Sequence, residues 1–149
     1  MVSTASSAPF RLDETSAFGA RAARHLREDV VVWLTTVTPS GAPNPNPVWF
    51  LWDGADRVTI HSLPDAARVR DVRERPLVTL NFDGDGRGGD IVVLRGRAEL
   101  RPDDPKADAV PAYLAKYGAD ITRIGHTPDS FAAKYGVPLV ITLIGLRGH

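Results

Sequence analysis

The segment GAPNPNPVWFLWDG, residues 41–54, sets prolines on alternate positions and then runs straight into Val48-Trp49-Phe50-Leu51-Trp52. In an extended strand the N–H and C=O of each residue point to one side, and that side alternates along the chain. Pro43, Pro45 and Pro47 therefore delete donors from a single edge, while Asn44 and Asn46 keep theirs on the other. Such a strand pairs along one edge only, and its free edge offers carbonyls without donors. Two explanations stay open. Prolines stop an edge strand from recruiting another chain, or the edge faces a ligand or partner that wants acceptors.

From Val48 to Trp52 both faces of the strand are apolar. Val48, Phe50 and Trp52 share one face; Trp49 and Leu51 share the other. One face fills a barrel interior. The other is expected to meet a second subunit or a flat ligand, because nothing in the element order supplies helices on both sides of a sheet.

The rest of the chain reads as alternating turns and β-rich runs. Phe18, Ala22 and Leu26 recur at helical spacing, which predicts a helix over about residues 14–28. VVVWLTTVT (30–38) is a strand closed by Pro39-Ser40-Gly41, and Asp53-Gly54 turns the opening segment into RVTIHS (57–62). Pro64 suits the start of a helix through PDAARVRDVRER, with Val69 and Val72 inward. LVTLNFD (77–83) and residues 91–100 are strands around the glycine-rich GDGRGGD. A helix carrying Tyr113, Leu114 and Tyr117 follows, with Pro111 starting a fresh turn. A short helix lies around 130–136, and VPLVITLIGLRGH is a final strand. Tight turns give antiparallel neighbours and βαβ alternation is missing. The expectation is a mainly β, antiparallel barrel with helices at its ends, one domain over 13–149 behind a loose tail at 1–12.

Composition narrows the function classes. The chain has 149 residues, enough for one ordinary domain, and its 18 basic and 18 acidic side chains give zero net charge. A dedicated nucleic-acid binder normally carries a basic excess, so none is expected here. There is no cysteine, which removes disulfides, zinc–thiolate sites and thiol catalysis. MVSTASSAPF lacks the charged and apolar regions of a signal peptide, and no apolar run approaches the roughly 18 residues that span a bilayer. A soluble cytoplasmic domain without membrane contact is the expectation.

Hydrolytic and metal signatures are missing. His25, His61, His126 and His149 are isolated, without metal-ligand spacing. GDGRGGD lacks the GK[ST] and the following helix of a phosphate loop. The most suggestive constellation is HSLPDAARVRDVRERP (61–76). A strand ending at Ser62 leads into a helix with Arg68 and Arg70 in its first turns. Helical N–H groups, a hydroxyl and a guanidinium make a phosphate site. Equally, Arg68, Arg70, Arg73 and Arg75 with Asp65, Asp71 and Glu74 make an ordinary solvated face.

Taken together, G-x-P-x-x-x-P-V-W-F-x-W-D-G, a strand ending in Ser, and R-x-R-x-x-x-R-x-x-P resemble the pyridoxamine-phosphate-oxidase-like split β-barrels. The pattern is most similar to their actinobacterial branch of deazaflavin (coenzyme F420)-dependent reductases. The resemblance spans roughly residues 15–147. It implies a homodimer with the cofactor in a cleft between subunits. Ser62 and Arg68 match the positions that hold the cofactor phosphate, with Arg70 close by. Asn46, Pro47, Val48, Trp49 and Phe50 match the strand beside the flat ring, and Asn44 and Asn46 are placed to bond the ring edge. Trp49, Phe50 and Trp52 either wall that pocket or serve the core.

The FMN oxidases of this superfamily carry an arginine and a lysine on that strand, and their places fall on Asn46 and Leu51. The serine beside their phosphate lysine corresponds to Ala66. Both departures favour F420 over the alternative cofactor FMN. The implied reaction is hydride transfer between reduced F420 and an activated double bond of a small organic substrate, with no side chain as covalent catalyst. The alternatives are an FMN enzyme of the oxidase type and a non-catalytic deazaflavin carrier.

Overall fold

The computed structural model describes residues 9–149. The helices are α1 (Ala17–Glu28), α2 (Ala67–Glu74), α3 (Pro111–Arg123) and α4 (Pro128–Lys134). The strands are β1 (Val32–Val37), β2 (Pro43–Val48), β3 (Leu51–Trp52), β4 (Arg57–Ser62), β5 (Leu77–Asn81), β6 (Val92–Leu100) and β7 (Val137–Gly148). All seven strands join one antiparallel sheet in the order β2-β1-β5-β6-β7-β4-β3.

That order dictates the shape. β2 and β3 are consecutive in the chain yet lie at opposite edges of the sheet, joined only by Trp49 and Phe50. So short a link spans about 10 Å at most. The sheet must therefore curl until its two edges nearly meet, bridged by chain instead of a ladder. The fold is a split β-barrel, as expected.

Local chemistry explains most boundaries. Ser16 caps α1, its Oγ accepting the Gly19 N–H at 2.9 Å. Pro111 and Pro128 open α3 and α4, and Thr127 with Ser130 closes a reciprocal cap on α4. In the first hairpin the Thr38 N–H donates to the Ala42 carbonyl at 2.8 Å, which makes those two a hydrogen-bonded pair. Alternation then makes Thr36/Asn44 and Leu34/Asn46 bonded pairs, and puts Pro43, Pro45 and Pro47 at positions whose nitrogens face away from β1. β2 is an edge strand for the reason its prolines imply.

Two apolar clusters fill the molecule. The barrel interior holds Leu34, Phe50, Leu80, Leu94, Ile141 and their neighbours, with Val48 and Trp52 beside them. Each such side chain, fully buried, contributes about 1.5–3 kcal/mol. The second cluster holds Tyr113, Tyr117, Ile121, Phe131 and Ala132, and Trp49 and Leu51 pack against it. Here one expectation is corrected. The outer face of Trp49 and Leu51 is covered by α3 and α4 of the same chain, not by a subunit or ligand alone. Tyr113, Tyr117 and Ile121 recur every four residues on α3 and supply that cover.

The expected continuous strand 43–52 is also broken at Trp49–Phe50. The Tyr117 hydroxyl accepts the Phe50 N–H at 2.9 Å and donates to the Val30 carbonyl at 2.7 Å. Lys116 Nζ donates to the Phe50 carbonyl at 3.0 Å. The backbone groups freed by the kink are thus taken up by α3.

Residues 1–8 of the expected tail lie outside the described residues; beyond them, Phe10 and Leu12 pack on the barrel core. A register shift at Arg95/Gly96 bends β6 against β7, and Gly96 lies so close to Ile141 that a Cβ there would meet its Cγ2 at 2.4 Å.

Candidate active site

Where the two sheet edges meet, the kink, β4, α2 and the α3–α4 pair enclose a cavity of about 220 Å³. Trp49, Phe131 and Tyr135 form an aromatic wall. Trp49 and Phe131 stack with centroids 5.7 Å apart, and Phe131 and Tyr135 at 4.6 Å. His61 and Tyr113 line it from β4 and α3, with Pro47 and Val48 from β2 and Arg68 from α2.

Arg68 and Ser62 are brought together. Arg68 Nη1 donates to Ser62 Oγ at 3.0 Å, and Ser62 Oγ donates to the Leu63 carbonyl at 3.0 Å. Burial pushes the guanidinium pKa down, and among the described residues no carboxylate offsets it. The α2 N-cap, Ala66, offers no side chain to the first-turn N–H groups. A half-buried cation without a counter-ion, beside open helical donors, calls for an anion. That site fits a cofactor phosphate, and the aromatic wall fits a flat ring.

The remaining candidates divide. Asn44, Asn46 and Arg70 gather around Asp71, a carboxylate with no solvent exposure, and the two asparagines share a face of β2 with Val48. Asp71 Oδ2 accepts from Thr36 Oγ1 at 2.8 Å and from Asn44 Nδ2 at 3.3 Å, and Oδ1 accepts from Arg70 Nη2 at 3.2 Å. Asn46 Nδ2 donates to Asn44 Oδ1 at 3.4 Å. Burial opposes ionisation of Asp71, but its donors outweigh it and hold the carboxyl below the usual range. Phe50 does not join either group; its ring is fully buried in the barrel interior, as is most of Trp52.

Sequence reasoning missed two residues. Asp71 reads as a solvated counter-charge among arginines, and only the fold brings it under Thr36 and Asn44. His61 reads as an isolated histidine. It is 6% exposed, sits edge-on to Tyr113 at 4.7 Å, and its Nδ1 has no hydrogen-bond partner. Burial, helped by Lys106, pushes its pKa down to about 4, so the ring is neutral near pH 7. Strand alternation from Ser62 puts His61 on the face shared with Trp49 and Leu51, which was the available signal.

The pyridoxamine 5'-phosphate oxidase family model matches residues 18–138. The chain belongs to this family. No curated protein sequence matches it significantly. Solved structures do. An F420 reductase aligns with a TM-score of 0.60 at 22% identity, covering 82% of this chain and 92% of that one. The conserved hypothetical protein Rv2991 of Mycobacterium tuberculosis aligns with 0.66 at 21%, covering 86% and 81%. HutZ, a haem storage protein of Vibrio cholerae, aligns with 0.58 at 15%, covering 93% and 95%. Likeness at these identities shows the fold. Among the described residues no cluster of His, Asp and Glu is arranged to hold a metal, and no helix is long and apolar enough to cross a membrane.

Proposed function

We propose that this member of the pyridoxamine 5'-phosphate oxidase family is an F420-dependent oxidoreductase that works as a homodimer. The observation that carries the reading is Arg68, half-buried without an acidic partner, bonded to Ser62 at the mouth of an aromatic cavity. Arg68, Ser62 and the α2 N-terminus hold the phosphate. Trp49 and its stacked partners exclude water and orient the ring, and Asn44 and Asn46 meet its polar edge. Bound there, reduced F420 would supply the hydride for an activated double bond, with the balancing proton drawn from solvent at the cavity's open side. The side chains bind and orient, and none forms a covalent bond with the substrate.

The preference for F420 over FMN rests on Asn46 and Leu51, which stand where FMN oxidases of the superfamily carry basic residues. Leu51 packs into the second apolar cluster, an environment that suits no cation. Dimerisation is supported by the outer sheet face. Trp33, Leu77 and Ile144 are exposed there, and the last two flank a shallow apolar groove.

The test is to titrate purified protein separately with F420 and with FMN, following fluorescence. Tight F420 binding with weak FMN binding supports the reading; the reverse assigns the FMN oxidase type instead. Turnover of an enone panel separates a reductase from a carrier, and light scattering at micromolar concentration that finds a monomer removes the dimer.

A further inference from the structure

Asp71 touches neither the cavity nor the Arg68 site, yet among the described residues it is a fully buried carboxylate that ends a chain of side-chain amides. Thr36 and Asn44 face each other across the β1–β2 ladder, and both donate to the same oxygen, Oδ2. An ionised carboxylate only accepts. Asn44 must therefore turn Nδ2 toward Asp71, since its Oδ1 there would set two acceptors against each other. With Nδ2 committed, Asn44 Oδ1 faces Asn46 and takes a hydrogen from Asn46 Nδ2. Asn46 in turn must direct its amide nitrogen inward. Two of its groups are left for a ligand, the Oδ1 acceptor and the second Nδ2 hydrogen, in an order fixed from two residues away.

From this chain of contacts we infer that Asp71 is a positioning residue that sets the polarity of the Asn46 amide, so that Asn46 offers an ordered acceptor–donor pair to an imide or amide edge of the ligand. Resting on the functional reading above, that edge is the N–H/C=O pair of the pyrimidinedione ring common to F420 and FMN. The same two groups in reversed order would set acceptor against acceptor and donor against donor. Thr36 and Arg70 hold the carboxylate ionised. Asn44 transmits its polarity, and Asn46 delivers it.

The experiment compares wild type, Asp71→Asn, Asn46→Ala and the double variant by titration with F420 and with FMN. Asp71→Asn can donate as well as accept, which frees Asn44 and Asn46 to flip. The expected result is a loss of affinity of about tenfold or more in each single variant. The double variant then loses no more than the weaker-binding single. Additive losses, or an unchanged affinity in Asp71→Asn, overturn the inference. Arg73→Ala, on the same helix but without a hydrogen bond to Asp71, Asn44 or Asn46, is expected to keep affinity within about twofold; a loss matching that of Asp71→Asn makes the role merely structural. Should Asp71→Asn fail to fold, Asn44→Ala breaks the same chain and must show the same non-additivity with Asn46→Ala. Side-chain amide NMR reads the relay without any ligand. The Asn46 amide signals are expected to move in Asp71→Asn, and unmoved signals reject the relay. If wild type binds neither cofactor, the functional reading fails while these signals still decide the relay.

Discussion

The indole of Trp49 lies almost parallel to the ring of Tyr117, with centroids 4.7 Å apart and planes 10° from parallel. The same tyrosine bonds the backbone one residue further on, through its hydroxyl at the Phe50 N–H. One side chain of α3 therefore fixes both the aromatic wall of the cavity and the kink that carries the chain from one sheet edge to the other.

Tyr117→Phe keeps the stack and strands the Phe50 N–H and the Val30 carbonyl without that partner. A loss of about 1–3 kcal/mol in unfolding free energy is expected. Urea denaturation measures it, and an unchanged slope with denaturant would show that the compact fold survives. No loss would mean that water replaces the hydroxyl at no cost.

Arg68→Ala is expected to weaken binding of either phosphate-bearing cofactor by about 10- to 100-fold, the range of a charge-assisted hydrogen bond. Arg73→Ala, on the same helix but outside the cavity, should leave affinity within about twofold. Calorimetric titration of the two variants provides the comparison, and equal losses would remove the phosphate assignment.

Two histidines pull stability in opposite directions with pH. His25 lies between Asp29 and Asp90, at 2.7 and 3.0 Å, stacked on Phe82, while Arg21 also pairs with Asp90. Burial opposes its charge, but hydrogen bonds to Asp90 and Asp29 prevail and raise its pKa above 6.5. The folded state then holds the proton more tightly, so this stabilisation is complete below pH 6.5 and fades as pH rises through the folded pKa. His25→Gln should flatten that alkaline decline in unfolding free energy.

His61 does the reverse. Its unfolded pKa near 6.5 drops to about 4 in the fold, so the unfolded chain binds more protons between those values and stability is lost as pH is lowered from 6.5 toward 4. The loss approaches roughly 3 kcal/mol at the acid end. His61→Phe should abolish it, which chemical denaturation at pH 7 and pH 4.5 would reveal as a narrower gap than in wild type.

Gly96→Ala is expected to destabilise by about 1–3 kcal/mol or more, since its Cβ would strike Ile141 at 2.4 Å and the Thr142 carbonyl at 3.0 Å. Gly118→Ala, inside α3 where a Cβ meets nothing within 4 Å, should stabilise by about 1 kcal/mol. Thermal melts of both variants test the pair, and opposite shifts in Tm are the expected result.

The prolines announced a strand that pairs along one edge, a consequence of local geometry, while the pairing of Ser62 with Arg68 was implied by the family resemblance. The cover over Trp49 was not legible, since Tyr117 lies 67 residues from Phe50 and nothing local says that α3 returns to the kink. Asp71 was illegible for a related reason. Its meaning comes from Thr36 and Asn44, which belong to a hairpin that the helix meets only through the closed sheet. A charge among arginines looks the same in sequence whether it is solvated or sealed.

The sheet order also has a consequence for how the protein is made. β1 to β4 emerge first, yet they end as the two outer pairs of the sheet, and the strands that separate them, β5, β6 and β7, are synthesised later. β7 alone pairs with both β4 and β6, so the barrel cannot curl shut until the last strand has left the ribosome. Trp49 and His61 wait through most of synthesis for α3, α4 and β7 to enclose them. The cavity is therefore completed only when β7 has joined β4 to β6.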